Sequence, residues 1–287
     1  MGEKISAMKM WILSVLLVPL VLSADKPYVT CELMGQLGNQ FFQVAVTLSH
    51  AYDHDAEPLF PEFKTRYDFG IHENYQKIFY CLNTSDLPSF PALHYRERSH
   101  AYQELPYEPN MKLQGFFQSE KYFYKYRDEI VALFQPSQEI REEMKQYQEL
   151  LDHPHTVAVH LRTYSGEDSY QFLYRCDRKY FKEAMSFFPE ETLFVVFSDD
   201  MKKCRELFDK IDRPKVYVHN KSHVLDFYLI SSCKHQIISN STFSWWAAYL
   251  NTNPDKVVVA PRYWYTKKSR LEDRDVVPEG WFVIDNR

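Results

Sequence analysis

The chain has 287 residues, 45% of them hydrophobic and 25% charged, with 21 Phe, 21 Tyr and 5 Trp but only 7 Gly, and a formal net charge of −5. No two glycines lie two residues apart, which excludes a G-x-G-x-x-G dinucleotide fingerprint, and neither a Walker-A loop nor a G-x-S-x-G nucleophile elbow is present. The acidic balance lacks the basic excess of proteins that neutralise many phosphates, so nucleic acid is not an expected partner, and the length suits one large domain or two.

At the N-terminus, Lys4 and Lys9 precede an apolar run over residues 10–22, broken only by Ser14 and Pro19 and followed by Ser23-Ala24-Asp25. That is the pattern of a secretory signal. The run falls short of the roughly 20 residues that span a bilayer, so cleavage is expected, with a signal-anchor holding the chain to a membrane through residues 10–22 as the alternative. Five scattered cysteines contain no C-x-x-C pair, which argues against a zinc site or a redox motif; an oxidising compartment would permit one or two disulfides of unreadable connectivity.

Residues 28–33 read as a strand, followed by a turn over 34–38 and a helix over 39–51 whose apolar positions Phe42, Ala45, Val46 and Ser49 recur at three and four. Residues 56–110, rich in Tyr, Pro and His, read as a loop-rich region with short elements. A strand is expected over 113–117 and helices over 121–134 and 137–151, with Pro136 and Pro154 as punctuation. From there short β-branched runs at 157–161, 193–197, 216–218, 236–238 and 256–260 alternate with helical stretches at 178–188, 200–209, 222–232 and 242–251. Strand alternating with helix predicts a parallel sheet covered on both faces.

Three polar clusters end these strands: His160-Leu161-Arg162, Ser198-Asp199-Asp200 and Ser239-Asn240-Ser241-Thr242. Ligands of open α/β sheets bind at the carboxyl ends of the strands, so the three should converge on one crevice. Arg162 has the planar fork that grips a diphosphate, or it pairs with a carboxylate such as Glu167 or Asp168. His160, one position inside the strand end, reads as a structural histidine before a catalytic one. The turn before Phe243 offers hydroxyl caps and unpaired amides at a helix start, which bind anions or simply cap a core helix. Asp199 and Asp200 either accept a ribose or base hydrogen bond or cap the next helix. Asp53-His54-Asp55 and Asp273-Arg274-Asp275 match the D-x-D pattern for a divalent metal, but neither follows a clear apolar strand and no metal site is expected.

Three segments resemble a known family. Gly35-Gln36-Leu37-Gly38-Asn39-Gln40-Phe41-Phe42-Gln43 and Gln114-Gly115-Phe116-Phe117-Gln118-Ser119-Glu120-Lys121-Tyr122-Phe123 resemble the opening and middle motifs of the α-1,2-fucosyltransferases, and the run from Asp226 to Leu250 resembles their long S-T-F-S-W-W block. Together with Phe197-Ser198-Asp199-Asp200, the resemblance spans about residues 28–265. It implies an α/β fold of GT-B type, two Rossmann-like lobes facing across a cleft, here an acceptor-side lobe over 25–150 and a donor lobe over 151–287 behind a signal at 1–24. It also implies metal-independent, inverting transfer of fucose from GDP-fucose to a galactose-terminated glycan; the N-terminal signal would take that activity into the secretory pathway, to the Golgi lumen of a eukaryote, or to a bacterial envelope.

Carried over by position, Arg162 would bind the donor phosphate and stabilise leaving GDP. Asn39 would face the fucose or the acceptor hydroxyl. Gly35, Gly38 and His160 would belong to the donor site, Ser198 and Asp199 would line the nucleoside, and Asn240, Ser241, Thr242 and Phe243 would present the diphosphate with a helix start. The family's H-V-R-R-G-D-Y segment departs here to His160-Leu161-Arg162-Thr163-Tyr164-Ser165-Gly166, so Thr163 replaces the second Arg and Ser165 the Asp. A transferase with another acceptor and a donor- or glycan-binding pseudoenzyme are therefore the competing readings.

Overall fold

The computed structural model describes residues 26–164 and 171–287; the expected signal at 1–24, and Ser165, Gly166, Glu167 and Asp168, lie outside the described residues. In the first half, β1 (Tyr28–Cys31) is buried at every position and is followed by the long helix α1 (Leu37–Asp53). Strands β2 (Glu57–Leu59), β3 (Leu93–Arg96) and β4 (Met111–Gln114) complete a parallel sheet of order β2-β1-β4-β3. Between β2 and β3 run two single turns, α2 (Glu62–Thr65) and α3 (Ile71–Asn74). The strand expected at 113–117 begins and ends earlier, because Phe117 takes a left-handed backbone (φ 49°) that carries the chain out of the sheet.

The two helices expected next are broken into shorter pieces. Phe123, at φ −146° and ψ 4°, interrupts the first, so α4 begins only at Arg127 and runs to Leu133. A 3₁₀ turn at Lys145–Tyr147 splits the second into α5 (Gln138–Met144) and α6 (Gln148–Leu151).

The second half follows the expected alternation closely. Strands β5 (Thr156–Leu161), β6 (Leu193–Ser198), β7 (Lys215–Tyr217), β8 (His235–Ile237), β9 (Val258–Pro261) and β10 (Phe282–Ile284) form a parallel sheet of order β10-β9-β8-β5-β6-β7. Helices α7 (Arg178–Met185), α8 (Met201–Phe208), α9 (His223–Ser232) and α10 (Thr242–Leu250) connect them. Asp177, Asp200 and Ser222 each accept a hydrogen bond from a first-turn amide of the helix that follows, which fixes where α7, α8 and α9 begin. The strand order reverses between β5 and β8, and that switch point opens a crevice at the carboxyl ends of the strands. The architecture is thus the expected α/β class, two Rossmann-like halves facing across a cleft.

A seam of aromatic side chains joins the halves. Helix α10 is apolar around its whole circumference and is buried from Ser244 to Leu250, as a helix without a polar face must be. Its Trp246 stacks on Phe41 of α1 at 5.2 Å between ring centres, and its Trp245 lies 4.6 Å from Phe42. All four side chains are fully buried, and Phe227 of α9 and Phe123 stack on the same group. Each buried ring is worth about 1.5–3 kcal/mol and each ring pair about 0.5–1.5 kcal/mol more, so this seam dominates the contact between α1 and α10. A second core on the opposite face of the β5–β10 sheet, built on Tyr180, Phe181, Phe194 and Phe208, carries α7 and α8. All five cysteines are free thiols, four of them buried.

Candidate active site

The three polar strand ends meet in one cavity of about 480 Å³, walled by Gly38 and Asn39 of α1, His160 and Arg162 after β5, Ser198 and Asp199 after β6, and Ser241, Thr242 and Phe243 at the start of α10. Arg162 donates from Nη1 to Asp199 Oδ2 at 3.0 Å, and its guanidinium lies over the Tyr164 ring, 4.9 Å from the centroid. The same carboxylate accepts from the Thr163 amide at 2.7 Å and the Thr163 hydroxyl at 3.1 Å. Asp199 is therefore the carboxylate that meets Arg162 among the described residues, and it locks the turn after β5 so that the guanidinium is held at the cavity wall. Asp200 caps α8 instead, which separates the roles of the two neighbouring acids. Burial pushes the His160 imidazole down to about 4, so this side chain is neutral at the cavity wall near neutral pH. Its ring packs 5.4 Å from that of Phe243.

The two helices that bound the cavity touch at their N-termini. A Cβ on Gly38 would lie 2.4 Å from the Thr242 carbonyl carbon and 2.5 Å from the Phe243 amide nitrogen. Only a residue without a side chain permits that approach, and its backbone needs no unusual φ. The positive ends of the α1 and α10 dipoles, with their first-turn amides, thus converge beside Arg162. Ser241 stands at the N-cap of α10 in extended conformation, yet its hydroxyl makes no capping bond, contrary to expectation. The hydroxyl is left to the cavity it lines.

Two flanks extend from this centre. On one, Tyr265 Oη donates to Gln118 Oε1 at 2.7 Å and Gln118 Nε2 donates to Asn39 Oδ1 at 2.9 Å. The Asn39 amide is thereby fixed in place, its oxygen accepting from Gln118 and its Nδ2 lying against Gly35, and a neutral amide of this kind cannot serve as a general base. On the other flank, Gln40 bonds Asn74, and Asn74 bonds His223 Nε2 at 2.9 Å, tying α1, α3 and α9 together. Asp226, one turn along α9, shares this wall; burial pushes its carboxyl up to about 6. Asn220 donates from Nδ2 to Asp226 Oδ1.

Gly35 and Asn240 do not line the cavity. Gly35 sits at φ +70°, and a Cβ there would strike Asn39 Nδ2 at 2.5 Å, so it shapes the turn that positions Asn39. Asn240 is buried and committed to the backbone: it donates to the carbonyls of Tyr263 and Trp264 and accepts from Cys176. Neither D-x-D triplet reaches the cavity. Asp53 pairs with Lys125, Asp55 with Lys26 and Asp275 with Lys121, while Asp273 accepts from the Trp264 and Tyr265 amides. Sequence reasoning missed Phe69, Asn74, Gln118, His223 and Asp226 as site residues; Gln118 and Asp226 lay within the motif segments but carried no readable partner. A larger cavity of about 710 Å³ opens at the other end of α10, among Arg127, Tyr249, Lys256 and Trp281, without any of the strand-end clusters.

Comparison with known proteins agrees with this geometry. The chain is 24% identical to an α-1,2-colitosyltransferase of Escherichia coli over 290 residues, covering 90% of this chain and 99% of that protein. It is 28% identical to galactoside α-(1,2)-fucosyltransferase 2 of Oryctolagus cuniculus over 252 residues, covering 80% of this chain and 69% of that one. Among solved structures, fucosyltransferase NodZ from Bradyrhizobium superposes with a TM-score of 0.54 at 14% identity, over 78% of this chain and 92% of that chain, which places the fold with the GT-B fucosyltransferases. The model of glycosyl transferase family 11 matches residues 22–285, and so takes in both sheets, the paired N-termini of α1 and α10 and every residue of the cavity wall: the chain belongs to glycosyl transferase family 11.

Proposed function

We propose that this glycosyltransferase moves L-fucose from GDP-fucose, with inversion, to a hydroxyl of a galactose-terminated glycan. The observation that carries this reading is the meeting of two helix N-termini and Arg162 in one cavity at the switch point of a parallel sheet. Such a site holds a nucleoside diphosphate without a glycine-rich loop. The Asp226 carboxylate supplies the acceptor that the N1–H and N2–H₂ edge of guanine requires, and Ser198 and Asp199 flank the nucleoside. The names of the relatives support a fucosyl or closely related donor and a galactoside acceptor.

In the reaction the acceptor hydroxyl oxygen bonds to the anomeric carbon while the bond from that carbon to the β-phosphate oxygen breaks. The electron pair leaves with GDP through an oxocarbenium-like state, and the acceptor O–H bond breaks as its proton is released to solvent. Charge grows on the departing phosphate, where Arg162 and the amides of α10 stand ready to stabilise it without reorganising. Asn39, held in place by Gln118, contacts a sugar hydroxyl or a phosphate oxygen. Residues 10–22 direct the chain into an export or secretory route, or anchor it there.

The test is release of GDP from GDP-fucose with a panel of galactosides, run beside GDP-colitose because of the colitosyltransferase relative. Turnover with GDP-fucose and a galactoside is expected, unaffected by EDTA. Binding of GDP-fucose without turnover on any acceptor would favour the pseudoenzyme, and loss of activity on chelation, restored by Mn²⁺ or Mg²⁺, would return a metal to the mechanism. Sequencing the mature N-terminus distinguishes a cleaved signal from an anchor.

A further inference from the structure

The short segment between α2 and α3 carries an unusual backbone at the cavity rim. Phe69 adopts φ 53° and ψ 21°, and Gly70 follows it at φ 68°, so two consecutive residues are left-handed. Glycine takes that conformation freely, whereas a bulky aromatic residue does so only when its surroundings enforce it. Here they do. The buried Gln40 donates to the Phe69 carbonyl at 3.2 Å and to the Gly35 carbonyl at 2.9 Å, and Arg66 grips Asp68 and the Leu33 carbonyl from the other side.

The strain leaves the Phe69 ring 49% exposed on the cavity wall, and it touches no other aromatic ring among the described residues. Its neighbour Tyr67, by contrast, packs on His72. Phe69 lines the same cavity as Asn74, His223 and Asp226, and its carbonyl is tied through Gln40 to Asn74 and on to His223. The opposite flank is that of Asn39, Gln118 and Tyr265. An exposed aromatic face beside an acidic hydrogen-bond acceptor suits a purine, whose flat surface stacks while its edge donates.

We propose that Phe69 is the stacking platform for the guanine base of the donor, contributed by the first half of the chain to a nucleotide held mainly by the second. This rests on the GDP-fucose reading and adds to it the residue that fixes the base. It also gives α1 a second task, since Gln40 sets the ring's position.

The experiment is titration of the wild-type chain and of Phe69→Ala, Phe69→Leu and Phe69→Trp with GDP and with inorganic pyrophosphate, alongside acceptor KM under saturating donor. Phe69→Ala should weaken GDP about tenfold or more, the range seen when a stacked aromatic is removed, while pyrophosphate binding and acceptor KM stay within twofold. Phe69→Leu should behave as Phe69→Ala, and Phe69→Trp should retain wild-type affinity, which separates stacking from simple burial. The half-exposed ring holds no core together, so the variants are expected to fold. GDP affinity unchanged in Phe69→Ala overturns the assignment, and a raised acceptor KM in its place would make the ring an acceptor platform. If the wild-type chain itself fails to bind GDP, the donor reading falls first and takes this one with it.

Discussion

Gly38→Ala tests whether the contact between the two helix N-termini is what makes the site. The added methyl would sit 2.4 Å from the Thr242 carbonyl carbon and 2.5 Å from both the Phe243 nitrogen and Thr242 Oγ1. Non-bonded carbon atoms rest about 3.5–4.0 Å apart, so α1 and α10 must separate by about 1 Å. Two opposing terms act on stability. Alanine is the better helix former by about 1 kcal/mol, and forcing a methyl into a packed contact costs about 1–3 kcal/mol. The net loss is therefore small, about 0–2 kcal/mol, and the protein should still fold with its melting temperature lowered by a few degrees. Catalysis has no such offset, because a displacement of about 1 Å at groups that hold the reacting phosphate costs on the order of 10²-fold. Scanning calorimetry and GDP release measured on one preparation check both halves. Turnover within threefold of wild type, with the melting temperature intact, would refute the idea that the close approach of these helices builds the donor site.

Arg162→Ala should lower turnover by about 10- to 150-fold, the worth of a charge-assisted phosphate contact of 1.5–3 kcal/mol, read from steady-state kinetics at saturating acceptor. Asp226 is ionised only above about 6, so GDP affinity should fall by up to about tenfold per pH unit as the pH drops below that value. Calorimetric titration across pH 5–8 would show it, and in Asp226→Asn the slope should flatten to that set by GDP's own terminal phosphate, which titrates in the same range. Lys256 donates from Nζ to the carbonyls of Ala248, Tyr249 and Asn251 at the end of α10. Lys256→Met should therefore cost about 1–3 kcal/mol in denaturant unfolding while leaving GDP affinity close to wild type, since the lysine lies at the end of α10 away from the cavity.

Most of the second sheet was legible because its inner strands are buried on both faces and read as short apolar, β-branched runs. The 157–161 run, for instance, differs from β5 by one residue. The strands that escaped notice, β2, β3 and β10, are three- or four-residue sheet edges: Glu-Pro-Leu and Leu-His-Tyr-Arg have no apolar run to announce them, and Phe-Val-Ile is too short a run to stand out. Strand-end placement brought His160, Arg162, Ser198, Asp199 and Thr242 to one wall from sequence alone. What could not be read were partnerships across distance. Asp199 lies 36 residues from Thr163, and Gln118 lies 79 from Asn39. No local pattern distinguishes Asn240, spent on backbone carbonyls, from Ser241, which faces the cavity. The strain at Phe69 is equally silent, since nothing in Tyr67-Asp68-Phe69-Gly70 declares which residue carries the left-handed turn.

The aromatic seam between α1 and α10 behaves as a weld and not as a hinge. Opening the cleft by swinging one half away from the other would expose Phe41, Phe42, Trp245 and Trp246 to water at a cost of several kcal/mol. The width of the cleft is then set when the chain folds, and traffic of donor and GDP is left to side chains at the rim. Heat should accordingly melt both sheets in one calorimetric transition, with the tryptophan emission changing together with the loss of secondary structure.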